Sequence, residues 1–264
     1  MRNKDLAEQI IRDKIEHETD LLMHELSIAY QYKSAHKDIL IVVHDQLDYL
    51  KECIRTIKEN TTEGYTLHIW DNNSKQETKD YIKTIKNAII YNSEKNEGFI
   101  KPNNIMASKG TAPYIILINT DVIVYPDWDK ALISWLQHNP NVAITGYSGA
   151  ILDENFQGSF LKFGKDADYV CGWCMCLSRD TYNEFGLFDD KNLEFAYCED
   201  SDLSFRVREA GKEIYVLSLS LAYHFENKTI VEVHKEKEVD IGLTFEKNHN
   251  YIKSRWLDLI QRSK

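Results

Sequence analysis

No apolar run in this 264-residue chain approaches the ~18 residues that a membrane-spanning helix needs, so an integral membrane protein is not expected. The opening stretch, MRNKDLAEQIIRDKIEHETD, is too charged for a secretory signal peptide. Positive charge is in deficit: 32 Lys and Arg stand against 42 Asp and Glu, a formal net charge of -10. That balance argues against a general polyanion-binding surface and makes nucleic acid an unfavoured partner. No Gly-rich, basic phosphate loop occurs in VVHDQLDYL, the first strand-to-helix connection, where a nucleotidyltransferase would carry one. Cysteines number five, an odd count, and three of them crowd into CGWCMC without the second pair that a zinc site requires. That segment has the composition of a buried strand, where free Cys serves as a small hydrophobe. A soluble protein of a reducing cytoplasm is the simplest reading. Internal repeats and low-complexity linkers are also missing.

What is present supports a substantial core: 43% hydrophobic residues and 15 Tyr, in a chain long enough for one large domain with an appendage. Residues 4–35 carry an interrupted apolar stripe that predicts a helix. From Asp38 the pattern changes. DILIVVH reads as a buried parallel strand, LDYLKECIRTIKEN as a helix, YTLHIWDNNS as a strand ending in turn residues, and KQETKDYIKTIKN as a helix. AIIY, YIILINTD and NVAITG are further strands, with NEGFIKPNNIMASKG a loop into a helix and DWDKALISWLQHN another helix. This alternation predicts an α/β fold, a parallel sheet with helices on both faces. Between Tyr147 and Asp168 the period is lost, which predicts a long loop or short hairpin. YVCGWCMCLS returns as one strand, RDTYNEFG as a short helix, and KEIYVLS and LAYHF as late strands; residues 227–264 are charged and expected to be helical.

In open α/β sheets, ligands bind beyond the carboxyl ends of the strands. His44 and Asp45 end the first strand, Asp71, Asn72 and Asn73 the second, and Asn119 and Asp121 the fourth, which makes a candidate ligand rim. Asp121 lies between two apolar tetrads in ILINTDVIV, where a carboxylate has to be paired, hydrogen-bonded or metal-bound. FAYCEDSDLSFRVREAG packs Glu199, Asp200 and Asp202 into the start of a helix, beside an apolar run. First-turn acids often cap a helix, but capping needs only one or two of the three.

The order of these segments resembles glycosyltransferase family 2, the nucleotide-sugar-dependent enzymes of GT-A fold. The resemblance runs from about Ile39 to Phe225 and rests on ILIVVHDQLDYLKECIRTI, IWDNNSKQET, NEGFIKPNN, ILINTDVIVYPDW, CGWCMCLSRDTYNEFGLFD, EFAYCEDSDLSFRVREAGKEI and AYHF, in that order. It implies a mixed, mostly parallel GT-A sheet flanked by helices, and an inverting transfer of one sugar, with hexosyl transfer first in view. It implies that Asp71 accepts a hydrogen bond from the donor's nucleobase, and that His44, Asn73, Asn96, Gly98, Asn104, Asn119 and Thr120 belong to the donor site. A UDP-sugar is the first expectation. Asn119-Thr120-Asp121 matches the family's metal motif with Asn in the first place, so that Asp121 and His224 would hold Mn²⁺ or Mg²⁺. Asp200 matches the catalytic base, with Glu199 orienting the acceptor or tuning Asp200, Ser201 and Asp202 serving the helix start, and Trp173 stacking on an acceptor sugar.

The resemblance divides the chain into an N-terminal helical extension (1–37), a catalytic domain (38–226) and a helical tail (227–264). The acceptor it implies is a glycan or glycoconjugate, and the setting is cytoplasmic or peripheral at the inner membrane face. His44-Asp45 departs from the family's usual first-strand ending, and KSRW at Lys253 lacks the Gln of the processive synthases, which favours single-sugar transfer. Two competing readings are a non-catalytic sugar- or partner-binding module of the same fold and a transferase acting on modified nucleic acid.

Overall fold

The computed structural model describes residues 18–153, 155–225 and 239–263. The N-terminal stretch before residue 18 and the segment 226–238 lie outside it, including the expected domain boundary at 226 and most of the charged VEVHKEKEVD run.

Helix α1 (18–29) leads to β1 (Lys37–Val43), α2 (Leu47–Asn60), β2 (Tyr65–Asp71), α3 (Gln76–Thr84), β3 (Ala88–Asn92), α4 (Ile100–Lys109), β4 (Tyr114–Ile118), β5 (Val122–Val124), α5 (Trp128–His138) and β6 (Val142–Gly146). Then follow β7 (Gly149–Leu152), β8 (Gly158–Leu161), β9 (Tyr169–Val170), β10 (Cys174–Ser178), α6 (Arg179–Phe185), α7 (Glu199–Glu209), β11 (Glu213–Val216), β12 (Ala222–His224) and α8 (Ile241–Ser263). Seven strands form the main sheet in the order β11-β6-β10-β4-β1-β2-β3. All neighbours in it are parallel except β10, which runs antiparallel to β4 and β6. This is the expected mixed, mostly parallel α/β architecture.

The period-two rule explains the two core layers. On β1, Ile39, Ile41 and Val43 face one layer with residues of α2 and α5, while Leu40 faces the other with α4, α7 and α8. Cys174 and Cys176 on β10 enter the first layer, and Met175 and Leu177 the second. Because both faces are covered, these strands read as continuous apolar runs. The buried charges are paired: Lys37 meets Asp129 at 2.9 Å, and Asp38 takes Arg179 at 2.8 Å and His68 at 3.2 Å.

Three expectations need correction. The helix over 4–35 ends at residue 29. Beyond it, the Lys33 N–H and C=O are taken by the Gln137 side chain of α5, so the backbone leaves the helix and runs toward β1. The stretch after Gly146 is not a long loop: it holds the expected short hairpin, β7–β8, which β9 extends to a small sheet in the order β8-β7-β9. YVCGWCMCLS is not one strand but β9 and β10, in different sheets. The turn between them forms because three other segments claim its backbone: Cys171 N–H donates to Ser148 O, Gly172 N–H to Asp200 Oδ2, and Trp173 O accepts from Asn119 N–H. Among the described residues, no helix is long and apolar enough to cross a membrane.

Candidate active site

A cavity of about 710 Å³ opens beyond the carboxyl ends of β1, β2 and β4. His44, Asn72 and Asn119 through Asp121 line it from the strand ends, as the rule for open α/β sheets requires. Asn96 and Gly98 reach it from the loop before α4, Gly172 and Trp173 from the turn between β9 and β10, and Glu199 and Asp200 from the start of α7. His224 enters from β12, which pairs antiparallel with β5 and so lies beside Asp121. Phe245 and His249 of α8 line it too.

Asn72 organises the strand-end side. Its Oδ1 accepts from Glu97 N–H at 2.7 Å, and its Nδ2 donates to Asn96 Oδ1 at 2.6 Å and to Gly98 O at 2.9 Å. Its own carbonyl lies 2.9 Å from His44 Nδ1. The loop so held comes very close to the chain ahead of α7. Gly98 has φ +78°, and a Cβ there would stand 2.4 Å from Phe195 O. Glycine alone permits both the conformation and the approach. Phe195 O in turn accepts from Phe99 and Ile100 N–H, at 2.7 and 3.1 Å, which ties the two loops together at the first turn of α4.

His224 Nε2 stands 3.1 Å from Asp121 Oδ1, and the His224 ring stacks on Trp173 with centroids 5.1 Å apart. A carboxylate oxygen and an imidazole nitrogen therefore converge at one point on the cleft wall. Among the described residues, no group of three or more His, Cys, Asp and Glu side chains gathers around a common point. The pair fits a cation that draws its other ligands from substrate oxygens and water, the habit of Mg²⁺ and Mn²⁺, better than a closed structural site.

The two acids at α7 differ in their surroundings. Asp200 Oδ2 accepts from Gly172 N–H at 3.0 Å, and its Oδ1 accepts from Ser201 N–H at 2.7 Å and Ser201 Oγ at 3.2 Å. Burial raises the Asp200 carboxyl above its usual range, and these donors oppose the shift. Glu199 is 94% buried, its Oε2 has no hydrogen-bond partner, and burial together with the neighbouring Asp200 charge pushes it up to about 8. Two adjacent buried carboxyls do not both ionise readily. Of the two carboxyls, Asp200 has the fuller set of donors, from Gly172 and Ser201, and so is the better suited to hold the charge.

The loop that presents them is held under strain. Phe195, Tyr197 and Cys198 all adopt positive φ, at 58°, 77° and 67°, although none is glycine. Asn248 of α8 holds it. Its Nδ2 donates to Glu194 O, Ala196 O and Tyr197 O at 2.8, 2.9 and 3.1 Å, and its Oδ1 accepts from Glu194 N–H at 3.0 Å. A second anchor fixes α8 to α7: Asp202 Oδ1 accepts from Trp256 Nε1 at 3.0 Å, while Asp202 Oδ2 pairs with Arg206 at 2.7 Å.

Ten of the thirteen expected site residues line the cavity: His44, Asn96, Gly98, Asn119, Thr120, Asp121, Trp173, Glu199, Asp200 and His224. Asp71, Asn73 and Asn104 do not. Asp71 is buried at the end of β2, with Oδ1 accepting from Ser74 N–H at 2.9 Å. Asn73 sits in a left-handed turn at φ 61°, where Lys79 Nζ approaches its Oδ1, and Asn72 faces the cavity in its place. Asn104 has both ends of its amide occupied by the Phe188 backbone, at 2.9 Å each, so it braces a loop. Asp202 does not cap α7, whose first turn has no side-chain cap; it docks α8. Asn72 was expected only as part of the strand-end rim, with no role of its own, and Gly172, Tyr197, Phe245, Asn248 and His249 were not expected from the sequence. For the three on α8 a signal existed: Ile241, Thr244, Asn248, Ile252 and Trp256 are buried at helical spacing.

Comparison with known proteins agrees with this fold. Among curated proteins, no sequence matches the chain closely enough to count as a relative. Among solved structures, the chain is similar to the mannosyltransferase PcManGT from Pyrobaculum calidifontis in complex with GDP-Man and Mn²⁺, with a TM-score of 0.59 over 93% of this chain and 83% of that one. At 9% identity, that likeness speaks for the fold alone. Residues 38–187 match the family described as Glycosyl transferase family 2, from β1 through α6. With more than half its length matched and the GT-A architecture in place around the cleft, the chain belongs to glycosyltransferase family 2 and is a glycosyltransferase.

Proposed function

We propose that the enzyme transfers a single sugar from a nucleoside diphosphate donor to an acceptor hydroxyl of a glycan or glycoconjugate, with inversion at the anomeric carbon. The observation that carries this reading is that Asp200 and the Asp121–His224 pair line the same cavity.

The donor lies against the strand ends. His44, Asn96, Gly98, Asn119 and Thr120 contact it, Asn72 holds the loop that closes on it, and Asp71 buttresses the end of β2 from behind. Asp121 and His224 hold a divalent cation, Mn²⁺ or Mg²⁺, which when bound neutralises the charge growing on the leaving diphosphate. Asp200 is the base. The donors from Gly172 and Ser201 keep it ionised and fix its direction. It takes the proton of the acceptor hydroxyl as that oxygen attacks the anomeric carbon, and the diphosphate leaves from the opposite face. Glu199 holds a proton beside Asp200, and Trp173 bounds the acceptor side with its ring on His224. We place the reaction in the cytoplasm, a reading that the five free thiols favour.

The test is binding of UDP, dTDP and GDP sugars with Mn²⁺ and with EDTA, followed by the anomeric configuration of the product by NMR. One nucleotide should bind in a metal-dependent way, and the product should be inverted. GDP sugars belong in the panel because the structural neighbour holds GDP-Man. Failure of every donor to bind the folded protein would favour a non-catalytic module of this fold.

A further inference from the structure

The transferase reading leaves one part of the cleft without an occupant. Tyr197, Phe245 and His249 line it together. Phe245 stacks on His249 with centroids 5.5 Å apart and an interplanar angle of 23°, and it meets the Tyr197 ring edge-on at 5.5 Å and 89°. Yet Phe245 remains 42% exposed, a large apolar side chain open at the mouth of a cavity. The group is built, not incidental. Tyr197 is held in its left-handed conformation with its carbonyl bonded to Asn248, and His249 Nε2 lies 3.3 Å from Phe156 O on the β7–β8 hairpin. Glu199 lines the same cavity, and its Oε2 is the one carboxylate oxygen among the described residues that is buried without a hydrogen-bond partner.

These two features together describe a ligand. Aromatic rings alone would receive any flat or apolar group. A buried carboxyl with one oxygen left without a partner asks for a hydroxyl or amide. A pyranose ring answers both, with an apolar C–H face for the rings and equatorial hydroxyls for the carboxyl. We propose that Tyr197, Phe245 and His249, with Glu199, form the acceptor subsite and that they bind the acceptor through a sugar ring rather than through a lipid chain or a peptide. The inference rests on the transferase reading above, but it concerns side chains that come from α8 and the loop before α7, not from the strand ends assigned to the donor.

The probe is a panel of methyl glycosides of hexoses, N-acetylhexosamines and deoxyhexoses, with 1-octanol as the apolar control. Binding to the full chain is followed by saturation-transfer NMR in the presence of Mn²⁺ and whichever nucleoside diphosphate binds. At least one methyl glycoside should bind with saturation on its ring C–H protons. Phe245→Ala should weaken it about tenfold, the loss of one ring contact. Phe245→Leu, which keeps apolar bulk and protects folding, should weaken it about fivefold, and nucleotide affinity should be unchanged in both. Three results overturn the proposal: nucleotide binds but no glycoside does; Phe245→Leu binds the glycoside as tightly as the parent; or octanol competes with the glycoside. If the nucleotide also fails to bind, the transferase reading falls with it, so the two failures are distinguishable.

Discussion

Asn72 and Asn248 are both buried amides whose polar atoms are spent on holding a loop, and they serve different parts of one cleft. Asn72 sits just past the end of β2, a strand of the main sheet paired on both sides, and fixes the Asn96–Gly98 loop through bonds spanning 24 to 26 residues. Asn248 sits on a peripheral helix and fixes the loop ahead of Glu199 and Asp200 through bonds spanning 51 to 54 residues. The first region takes its geometry from the sheet. Its side chains follow directly from parallel strands whose ladders set where each one ends. The second takes its geometry from tertiary clamps on the strained segment that leads into α7, and these set where Glu199 and Asp200, the first residues of that helix, stand. Positioning by topology is robust to change at a distance, and positioning by clamp is not.

The largest expected effect comes at the point where the two regions meet. Asp200→Asn should lower kcat by about 10²- to 10⁴-fold, the range for loss of a general base, while nucleotide affinity stays the same. A transfer rate near that of the parent, with the fold intact, would remove Asp200 from the mechanism. Next, Asn248→Ala should lower kcat by roughly 10²-fold, since misplacement of about 1 Å is enough to do so. Its donor KM should not move. Asn72→Ala should do the reverse and raise donor KM more than it lowers kcat. If both variants shift the same parameter, the cleft does not divide as described here. Gly98→Ala strikes the contact between the two loops, and it should cost both parameters and lower Tm, because its Cβ would meet the Phe195 carbonyl.

Two smaller effects concern stability. The Glu199 carboxyl titrates near 8 in the fold against an ordinary value of 4.5, so between those values the folded state keeps a proton that the unfolded chain has lost. The group therefore costs nothing below about pH 4.5, and stability falls as pH rises through about 8. Glu199→Gln should flatten this dependence, matching the parent near pH 4 and exceeding its Tm near pH 9. A variant that loses Tm at pH 9 would mean that the carboxyl is ionised and well solvated. Smallest is Arg255→Ala, which removes a part-exposed contact of α8 to Asp189 and Asp202 and should cost about 1 kcal/mol or less in a denaturant melt, with kcat unchanged.

The same contrast explains what could be read from the sequence. Helix α2 matches LDYLKECIRTIKEN residue for residue, because Leu50, Ile54 and Ile57 repeat at helical spacing against a buried sheet. Strand ends were legible for the same reason, and with them His44, Asn119 and Asp121. Side-chain direction at those ends was less so: a turn at Asn73 gives the cleft to Asn72, one position away. The place of Asn104 away from the cavity could not be read, because its partner, Phe188, is 84 residues distant and nothing local announces the pairing. The α8 wall was only partly legible. Its charged residues read as a helix and Ile241, Ile252 and Trp256 fall on one stripe, but a buried Asn at the centre of that stripe does not register as core in a hydrophobic pattern.

The clamp also has a consequence for the order in which the protein is made. A ribosome delivers Glu199 and Asp200 well before it delivers Asn248, so the sheet and α7 can form while the loop between them still samples ordinary backbone conformations. The last strand of the main sheet, β11, ends at Val216, so every pairing in that sheet can be made before Asn248 emerges. On the function proposed above, the nascent enzyme is therefore expected to hold a nucleotide before it can transfer a sugar, and to gain its chemistry only when α8 docks.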